Sequence, residues 1–333
     1  MNQELMIRLF KSIEGSPSDD IVKIAERIIE EESKNGHTKI AARLKDILHK
    51  NIHTYTAFQG NLKSILPKGV TIPTDKRYNI PLAVHIDREK LRHEMVLPDL
   101  VEDKIKRIEK EYVARERLKK LGLKPKQKIL LYGTPGCGKS MTAERIAWNI
   151  GLPFLKVRFE AIISSYLGES ASNLKKLFEA LRQVPCVLLL DEFDFIAKAR
   201  SKGQDVGEMH RIVNILLNLL EDYDAPGILV ATTNFEGIID FALFRRFDEI
   251  IEMPKPSKVE IIKLLQQSLS AINKEKDINW NSLGLKLKGF SAALVVKVAE
   301  DAAKISVVQG KKSLEQNHIL QSITENTIFN KRK

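Results

Sequence analysis

Cysteine is scarce in this 333-residue chain, which has only Cys137 and Cys186. So few cysteines suggest neither a disulfide framework nor a cysteine-based metal site. Aromatic residues make up only 6%, and no apolar run approaches the roughly 18 residues needed to cross a bilayer. Met1–Lys11 lacks the apolar stretch of a secretory signal. These absences predict a soluble protein of the reducing cytoplasm that has no membrane partner.

Acidic residues are fewer than basic ones: the chain has 43 aspartates and glutamates but 54 lysines and arginines, which gives a net charge of +11. Most of the surplus lies in the first 128 residues, and it peaks between Lys104 and Lys128. A basic stripe of this kind can bind nucleic acid or an acidic partner. It also fits a solvated helix face beside a nucleotide site that favours positive potential. Composition alone leaves both interpretations open.

The hydrophobic pattern at the start of the chain predicts a small helical domain over residues 1–55. Apolar residues recur there at helical spacing in two stripes, Ile21–Ile29 and Ile40–Leu48. We interpret these stripes as core rather than as a groove for a partner. Residues 56–95 carry several prolines and no clear period, so they predict a linker with short strands near 70–72 and 82–86.

The pattern changes over residues 96–254, which predict a large α/β domain. After a charged helix come five short apolar runs that alternate with amphipathic helices: Ile129–Tyr132, Phe154–Phe159, Val187–Leu190, Ile228–Ala231 and Glu249–Met253. Strands of this kind predict a five-stranded parallel sheet with helices on both faces. After Pro254 only helical stripes follow, so residues 255–333 predict an all-helical lid.

A complete G-x-x-x-x-G-K-[ST] motif follows the first apolar run and opens a predicted helix that includes Met141. It consists of Gly133, Thr134, Pro135, Gly136, Cys137, Gly138, Lys139 and Ser140. Glycines let backbone N–H groups surround phosphate oxygens, and the helix N-terminus adds its positive dipole. In this P-loop, Lys139 is expected to reach the β- and γ-phosphates and Ser140 to bind Mg²⁺. The motif predicts ATP and Mg²⁺ as ligands.

The run Val187–Leu190 ends in two acidic residues, Asp191 and Glu192. Ligands of open α/β sheets bind at the carboxyl ends of the strands, where these acids emerge. We expect Asp191 to hold the Mg²⁺ shell and Glu192 to act as general base on the attacking water.

With these motifs the sequence resembles the AAA family of ring-forming ATPases, in particular the katanin, spastin and membrane-anchored AAA protease group. The resemblance covers about Leu97 to Thr327. It implies that Asn234, in Ala231–Asn234, is the sensor that helps to place the lytic water. It also implies that Arg245 and Arg246 supply arginine fingers to a neighbouring subunit of a homo-oligomer, most simply a hexamer. Which arginine dominates stays open.

The resemblance further assigns Tyr166, Leu167 and Gly168 to a pore loop that grips an extended polypeptide. The chain departs from the family at Ala292–Leu294, which offers no arginine for a second sensor, and it lacks the His-Glu-x-x-His motif of a fused zinc protease. The N-terminal hairpin looks like the adaptor module of single-ring bacterial relatives, some of which are encoded beside a serine protease.

Three functions are compatible with this sequence. The first is an ATP-driven remodeller or unfoldase of a protein substrate or partner. The second is a nucleic-acid-associated ATPase such as a loader, motivated by the basic stretch. The third is an ATP switch that regulates a partner enzyme, such as a separately encoded serine protease, without unfolding it.

Overall fold

The computed structural model of the chain describes residues 25, 28–29, 32, 41–42, 44–48, 71–75, 78–163, 169–193, 206–234, 244–275 and 277–330, without the side chains of 206–210 and 328–330. The chain divides into two compact units, Met1–Lys63 and Ser64–Lys333. Within the described ranges, no helix is both long enough and apolar enough to cross a membrane.

The described residues of the N-terminal unit are helical. Their core consists of Ala25, Ile29, Ala41, Leu44 and Leu48, which are all buried together. These residues come from both predicted apolar stripes. A helix buries side chains that recur every three or four positions, so the described parts of the stripes form a core.

Six strands among the described residues of the second unit form one sheet. They are β1 (Ala83–Ile86), β2 (Lys128–Tyr132), β3 (Phe154–Val157), β4 (Val187–Leu190), β5 (Ile228–Thr233) and β6 (Glu249–Glu252). The order across the sheet is β1-β3-β4-β5-β2-β6, and the neighbouring strands from β3 to β6 pair in parallel. The predicted α/β fold class is confirmed.

The short strand predicted near residues 82–86 is confirmed as β1, whereas the count of five strands needs correction to six, and this part of the predicted linker belongs to the sheet. This strand pairs antiparallel with β3, with Ala83 opposite Val157 and Ile86 opposite Phe154. Leu82 and Ala83 are fully buried, so this part of the predicted linker belongs to the core. The sequence predicts a strand here but not its partner in the sheet. The segment becomes a strand because it pairs with the edge of β3.

Helices cover both faces of the sheet. They are α1 (Asp99–Val113), α2 (Arg115–Lys120), α3 (Lys139–Ile150), α4 (Phe159–Ile163), α5 (Glu169–Leu181) and α6 (Val206–Glu221). One core places Ile105 of α1 with Ile129 of β2, and the other places Leu177 of α5 with Leu130 of β2. Successive residues of a strand point to opposite faces, so Ile129–Leu131 of β2 are all apolar because both faces of the strand are buried there.

After β6 the described chain is helical, with α7 (Lys258–Ser268), α8 (Trp280–Lys286), α9 (Ala292–Val308) and α10 (Gln316–Asn330). A capping box begins α7, in which the Ser257 hydroxyl accepts from the N–H of Val259 and the Glu260 carboxylate accepts from the N–H of Ser257. Leu265 and Val298 belong to a third core that these helices share.

An ion pair joins α1 to α3, the helix that follows the P-loop motif. Both terminal nitrogens of Arg145 donate to the Glu102 carboxylate, at 2.7 and 2.6 Å. The two side chains are mostly buried, with 12% and 21% exposed. The bonds from Arg145 hold the pKa of Glu102 below its ordinary value.

Replacing Arg145 with methionine is expected to lower the free energy of unfolding by about 2 kcal/mol at neutral pH, because a bond to a charged group contributes roughly 1.5–3 kcal/mol. The folded-state pKa of Glu102 is depressed, so the contribution is complete above its unfolded pKa of about 4.3. It is lost as the pH falls through the folded value. Urea unfolding of both proteins from about pH 7 to about pH 2 measures the difference.

The matched control is Lys106→Met, which removes a more exposed partner of the same carboxylate. Its cost should stay below about 1 kcal/mol, because exposed ion pairs contribute little. If the difference between wild type and Arg145→Met does not shrink as the pH falls, the pair does not stabilise the fold in the way described.

Candidate functional site

The P-loop lies between β2 and α3, at the edge where the parallel strands end. Gly138 precedes the helix in the left-handed conformation, with φ 89°. Gly133 has φ 136°, and a Cβ at this position would come within 2.5 Å of the Met253 carbonyl oxygen. Only glycine permits this close approach. The loop therefore leads into the N-terminus of a twelve-residue helix, whose unpaired N–H groups and dipole favour an anion.

Lys139 is buried and its side chain folds back over the loop. Its ammonium donates to the carbonyl oxygens of Gly133, at 2.7 Å, and of Thr134, at 2.9 Å. Cys137 is buried as well, and its sulfur lies 3.0 Å from the Thr134 hydroxyl. A cation is thus held inside the turn of the loop, where it is able to meet a phosphate group.

The Asp191 carboxylate, at the end of β4, receives three side-chain hydrogen bonds. Oδ1 accepts from the hydroxyls of Ser140, at 2.7 Å, and Thr232, at 2.6 Å, and Oδ2 accepts from the Lys156 ammonium at 2.6 Å. Burial by itself would raise the pKa of Asp191. The bonds from Lys156, Thr232 and Ser140 outweigh burial and hold this pKa below its ordinary value, so Asp191 stays ionised.

Glu192 has a left-handed backbone, with φ 54°, which is unusual for a residue other than glycine. Its N–H donates to the Thr232 hydroxyl at 3.1 Å, and the next N–H, from Phe193, donates to the Thr232 carbonyl oxygen at 2.7 Å. Neighbouring β5 therefore holds this turn in place. The Glu192 side chain is exposed, next to the ionised and largely buried Asp191.

The C-terminal helices form a second wall of the site. The N–H of Ala293, in the first turn of α9, donates to the carbonyl oxygen of Gly136 at 2.9 Å. A Cβ on Gly136 would lie 2.8 Å from the Ser291 hydroxyl oxygen, so glycine is also required here, where φ is 79°. The P-loop and α9 are therefore in direct backbone contact.

A third wall comes from the segment that precedes α1, which sequence reasoning did not assign to the site. The backbone N–H and the guanidinium of Arg92 both donate to the buried carboxylate of Glu144 on α3. The ring of His93 stacks on Trp148, also on α3, with centroids 4.0 Å apart. These contacts fasten Glu94–Val96 beside the P-loop.

These three walls enclose a cavity of about 790 Å³. Its lining includes Pro135–Met141, Asp191, Glu192, Thr232 and Asn234 from the sheet edge, Arg92 and Glu94–Val96 from the third wall, and Leu264, Gln267, Ser268, Ala292, Ala293, Val296, Lys297 and Glu300 from the helices. The cavity is apolar on the side of Met95, Val96 and Leu264, and it carries donors and carboxylates on the side of the P-loop. This division suits a ligand with a flat apolar group and an anionic tail.

The structure brings most of the predicted site residues together. The P-loop, Asp191, Glu192 and Asn234 all belong to one edge of the sheet. Arg245 and Arg246 are not among the residues that line the cavity, and the predicted pore loop, Tyr166–Gly168, lies outside the described residues. Thr232 and Lys156 were missed, because their relation to Asp191 depends on the order of strands that are far apart in sequence.

The two arginines before β6 differ in their surroundings. Arg246 donates from Nε to the Leu217 carbonyl oxygen at 3.1 Å and pairs with Glu221 at 3.2 Å, so it is held against α6. Arg245 is exposed. Phe247, which follows, makes an edge-to-face contact with Phe193, with ring centroids 6.5 Å apart.

Comparison with known proteins agrees with this architecture. Residues 129–255 match the family model described as "ATPase family associated with various cellular activities (AAA)". The chain is also similar to a protein of Sinorhizobium fredii (strain NBRC 101917 / NGR234) named "Uncharacterized AAA family ATPase y4kL". The two are 30% identical over 322 residues, which cover 97% of this chain and 94% of the relative. This chain belongs to the AAA family of ATPases.

Proposed function

We propose that this protein binds ATP in the cavity at the P-loop and hydrolyses it. One observation carries the proposal: the P-loop, the ionised Asp191 and the exposed Glu192 line the same cavity. The loop and the N-terminus of α3 would bind the phosphates, with Lys139 turning from the loop carbonyls to the β- and γ-phosphates. Met95, Val96 and Leu264 would contact the base.

The same residues fit Mg²⁺. This ion prefers oxygen ligands, and it is usually bound by one or two carboxylates together with phosphate oxygens and water. The Ser140 hydroxyl and the Asp191 carboxylate, 2.7 Å apart, offer such a set. When bound, the ion would neutralise charge that develops on the phosphates. The hydrogen bonds to Asp191 keep this carboxylate in the form that binds a cation.

Hydrolysis needs a base at the attacking water, and the position of Glu192 supports this role. Its left-handed backbone is held by two hydrogen bonds to Thr232, and its side chain lines the cavity. Backbone strain of this kind is often found at functional sites. Asn234, at the end of β5, lines the same cavity and would orient the water with its amide.

The arginine pair supports a site that is completed by a second subunit. Neither arginine lines the cavity of its own chain. Because Arg246 is bonded to α6 and Arg245 is exposed, we assign the finger to Arg245 and the anchoring of this segment to Arg246. Such an arginine stabilises charge on the transferred phosphoryl group. The assembly that follows is a ring of identical subunits, with a hexamer as the simplest case.

The use of the ATPase cycle is proposed from sequence alone. Tyr166, Leu167 and Gly168 match a loop that grips a polypeptide, which favours a protein remodeller. Part of the basic stretch that motivated a nucleic-acid partner is ion-paired within the chain. Lys104 and Lys126 pair with Glu249, and Arg107 pairs with Glu111. Most lysines and arginines of the stretch are nevertheless exposed, so a loader or a regulator on nucleic acid stays the alternative.

Two substitutions test ATP binding and hydrolysis separately. Lys139→Met is expected to abolish binding of ATP, because it removes the cation inside the loop that would contact the phosphates. Glu192→Gln should bind ATP normally and lose about 10²–10⁴-fold in turnover, the usual contribution of a general base. Calorimetric titration and phosphate release measure the two quantities. Lys128→Met, at the start of β2, is the control and should leave ATP binding and turnover unchanged. A Glu192→Gln protein with wild-type turnover would contradict the role of Glu192 as the base.

Mixing experiments test the shared site. Arg245→Ala alone should lose about 10³-fold or more in turnover, as expected for a missing arginine finger. Adding inactive Lys139→Met subunits should restore part of the rate, because a mixed seam joins an intact P-loop to an intact Arg245. Arg246→Ala is the matched variant and should also lower the melting temperature, since it loses its bonds to α6. No recovery on mixing, or full activity in a dilute monomer, would refute the shared site.

The protein-remodelling proposal predicts that Tyr166→Ala retains ATPase activity and loses unfolding of a protein substrate. An aromatic ring in such a loop grips a chain by contact area, which alanine cannot supply. Fluorescence loss from a tagged substrate measures unfolding, with Tyr78→Ala as a control at an exposed tyrosine. If wild type unfolds nothing but its Glu192→Gln form holds a partner enzyme stably, the ATP-switch alternative is correct instead.

A further inference from the structure

Lys156 places a second cation at the acidic end of β4. Its ammonium lies 2.6 Å from Oδ2 of Asp191, on the oxygen that receives neither hydroxyl. The lysine interrupts β3, whose other residues, Phe154, Leu155 and Val157, are buried and apolar. A charged residue within such a strand calls for an explanation, and its nearest charged partner is Asp191, the predicted Mg²⁺ ligand.

The two oxygens of Asp191 have different donors among the described residues. The hydroxyls of Ser140 and Thr232 both donate to Oδ1, and the Lys156 ammonium donates to Oδ2. Two other cations that line the cavity are bonded elsewhere, since Lys139 donates to loop carbonyls and Arg92 to Glu144. Among the residues that the structure describes, Lys156 is therefore the positively charged side chain in direct contact with Asp191.

We propose that Lys156 is a built-in cation that shares Asp191 with Mg²⁺ and thereby weakens the dependence of nucleotide binding on the metal. The inference rests on the proposed nucleotide site and adds a residue that sets its metal requirement. A positive charge beside the site attracts a metal-free nucleotide, whose phosphates carry uncompensated negative charge. The same charge repels Mg²⁺ bound to Asp191. Both effects reduce the gain in nucleotide affinity that Mg²⁺ provides.

The coupling between Mg²⁺ and nucleotide is a single measurable ratio, the dissociation constant of ADP in EDTA divided by that in excess Mg²⁺. Each variant supplies both constants, so a general loss of affinity cancels in the ratio. Lys156→Met keeps the length of the side chain and removes its charge. The coupling ratio of this variant should exceed that of wild type by about tenfold, which is about 1.4 kcal/mol. The increase should come mainly from weaker binding of ADP in EDTA.

Two further variants separate charge from structure. Lys156→Arg keeps the positive charge and should leave the ratio within about twofold of wild type. Lys128→Met removes one positive charge from β2, where the ammonium bonds to the Leu220 carbonyl oxygen, and should also leave the ratio unchanged. Lys156 is 44% exposed, so its substitution should be tolerated, and melting temperatures check this. Should Lys156→Met fail to fold, Lys156→Gln replaces it with the same expectation.

The results distinguish this inference from the proposed function. If wild type binds ADP and Lys139→Met does not, the nucleotide site stands. An unchanged coupling ratio in Lys156→Met then overturns only the role of Lys156. If Lys156→Arg raises the ratio as much as Lys156→Met does, the effect is one of shape rather than charge and the inference is also overturned. If wild type binds no ADP in either condition, the proposed function itself fails.

Discussion

The carboxylate of Asp191 joins four elements of the fold. Asp191 ends β4, and its hydrogen-bond partners come from α3 (Ser140), β5 (Thr232) and β3 (Lys156). A partly buried carboxylate with fewer partners would cost free energy and would tend to take up a proton. The three donors keep it ionised, and together they hold the P-loop helix, both neighbouring strands and the adjoining turn of Glu192 in one arrangement.

Charge near the P-loop is used mainly to connect elements. Glu102 and Arg145 link α1 to α3, and Glu249 of β6 accepts from Lys104 and Lys126 at the two ends of the basic stretch. The Asp248 carboxylate accepts from the backbone N–H groups of residues 127 and 128 at 2.9 and 2.8 Å. Some lysines and arginines of the basic segment thus pair with acidic residues of the same chain, while most of the segment is exposed.

The site and the arginine segment share one hydrophobic core. Phe193 follows Glu192, Phe247 follows Arg246, and the two rings meet edge to face within the core that α5 and α6 form with the sheet. Packed interiors transmit small displacements, because they contain few voids. The turn of Glu192 and the segment that we propose to contact the next subunit are therefore in contact through residues far apart in sequence.

Contiguous patterns were enough to predict the α/β class, the P-loop motif and the acidic pair after β4. Each of these depends on residues that are neighbours in the chain, where apolar runs and glycine spacing act directly on the backbone. The pairing of β1 with β3, the bonds from Lys156 and Thr232 to Asp191, and the different surroundings of Arg245 and Arg246 were decided only by tertiary structure. These contacts join residues tens of positions apart, and strand order and register bring them together. Local propensity determined which elements form, and long-range packing determined which side chains meet.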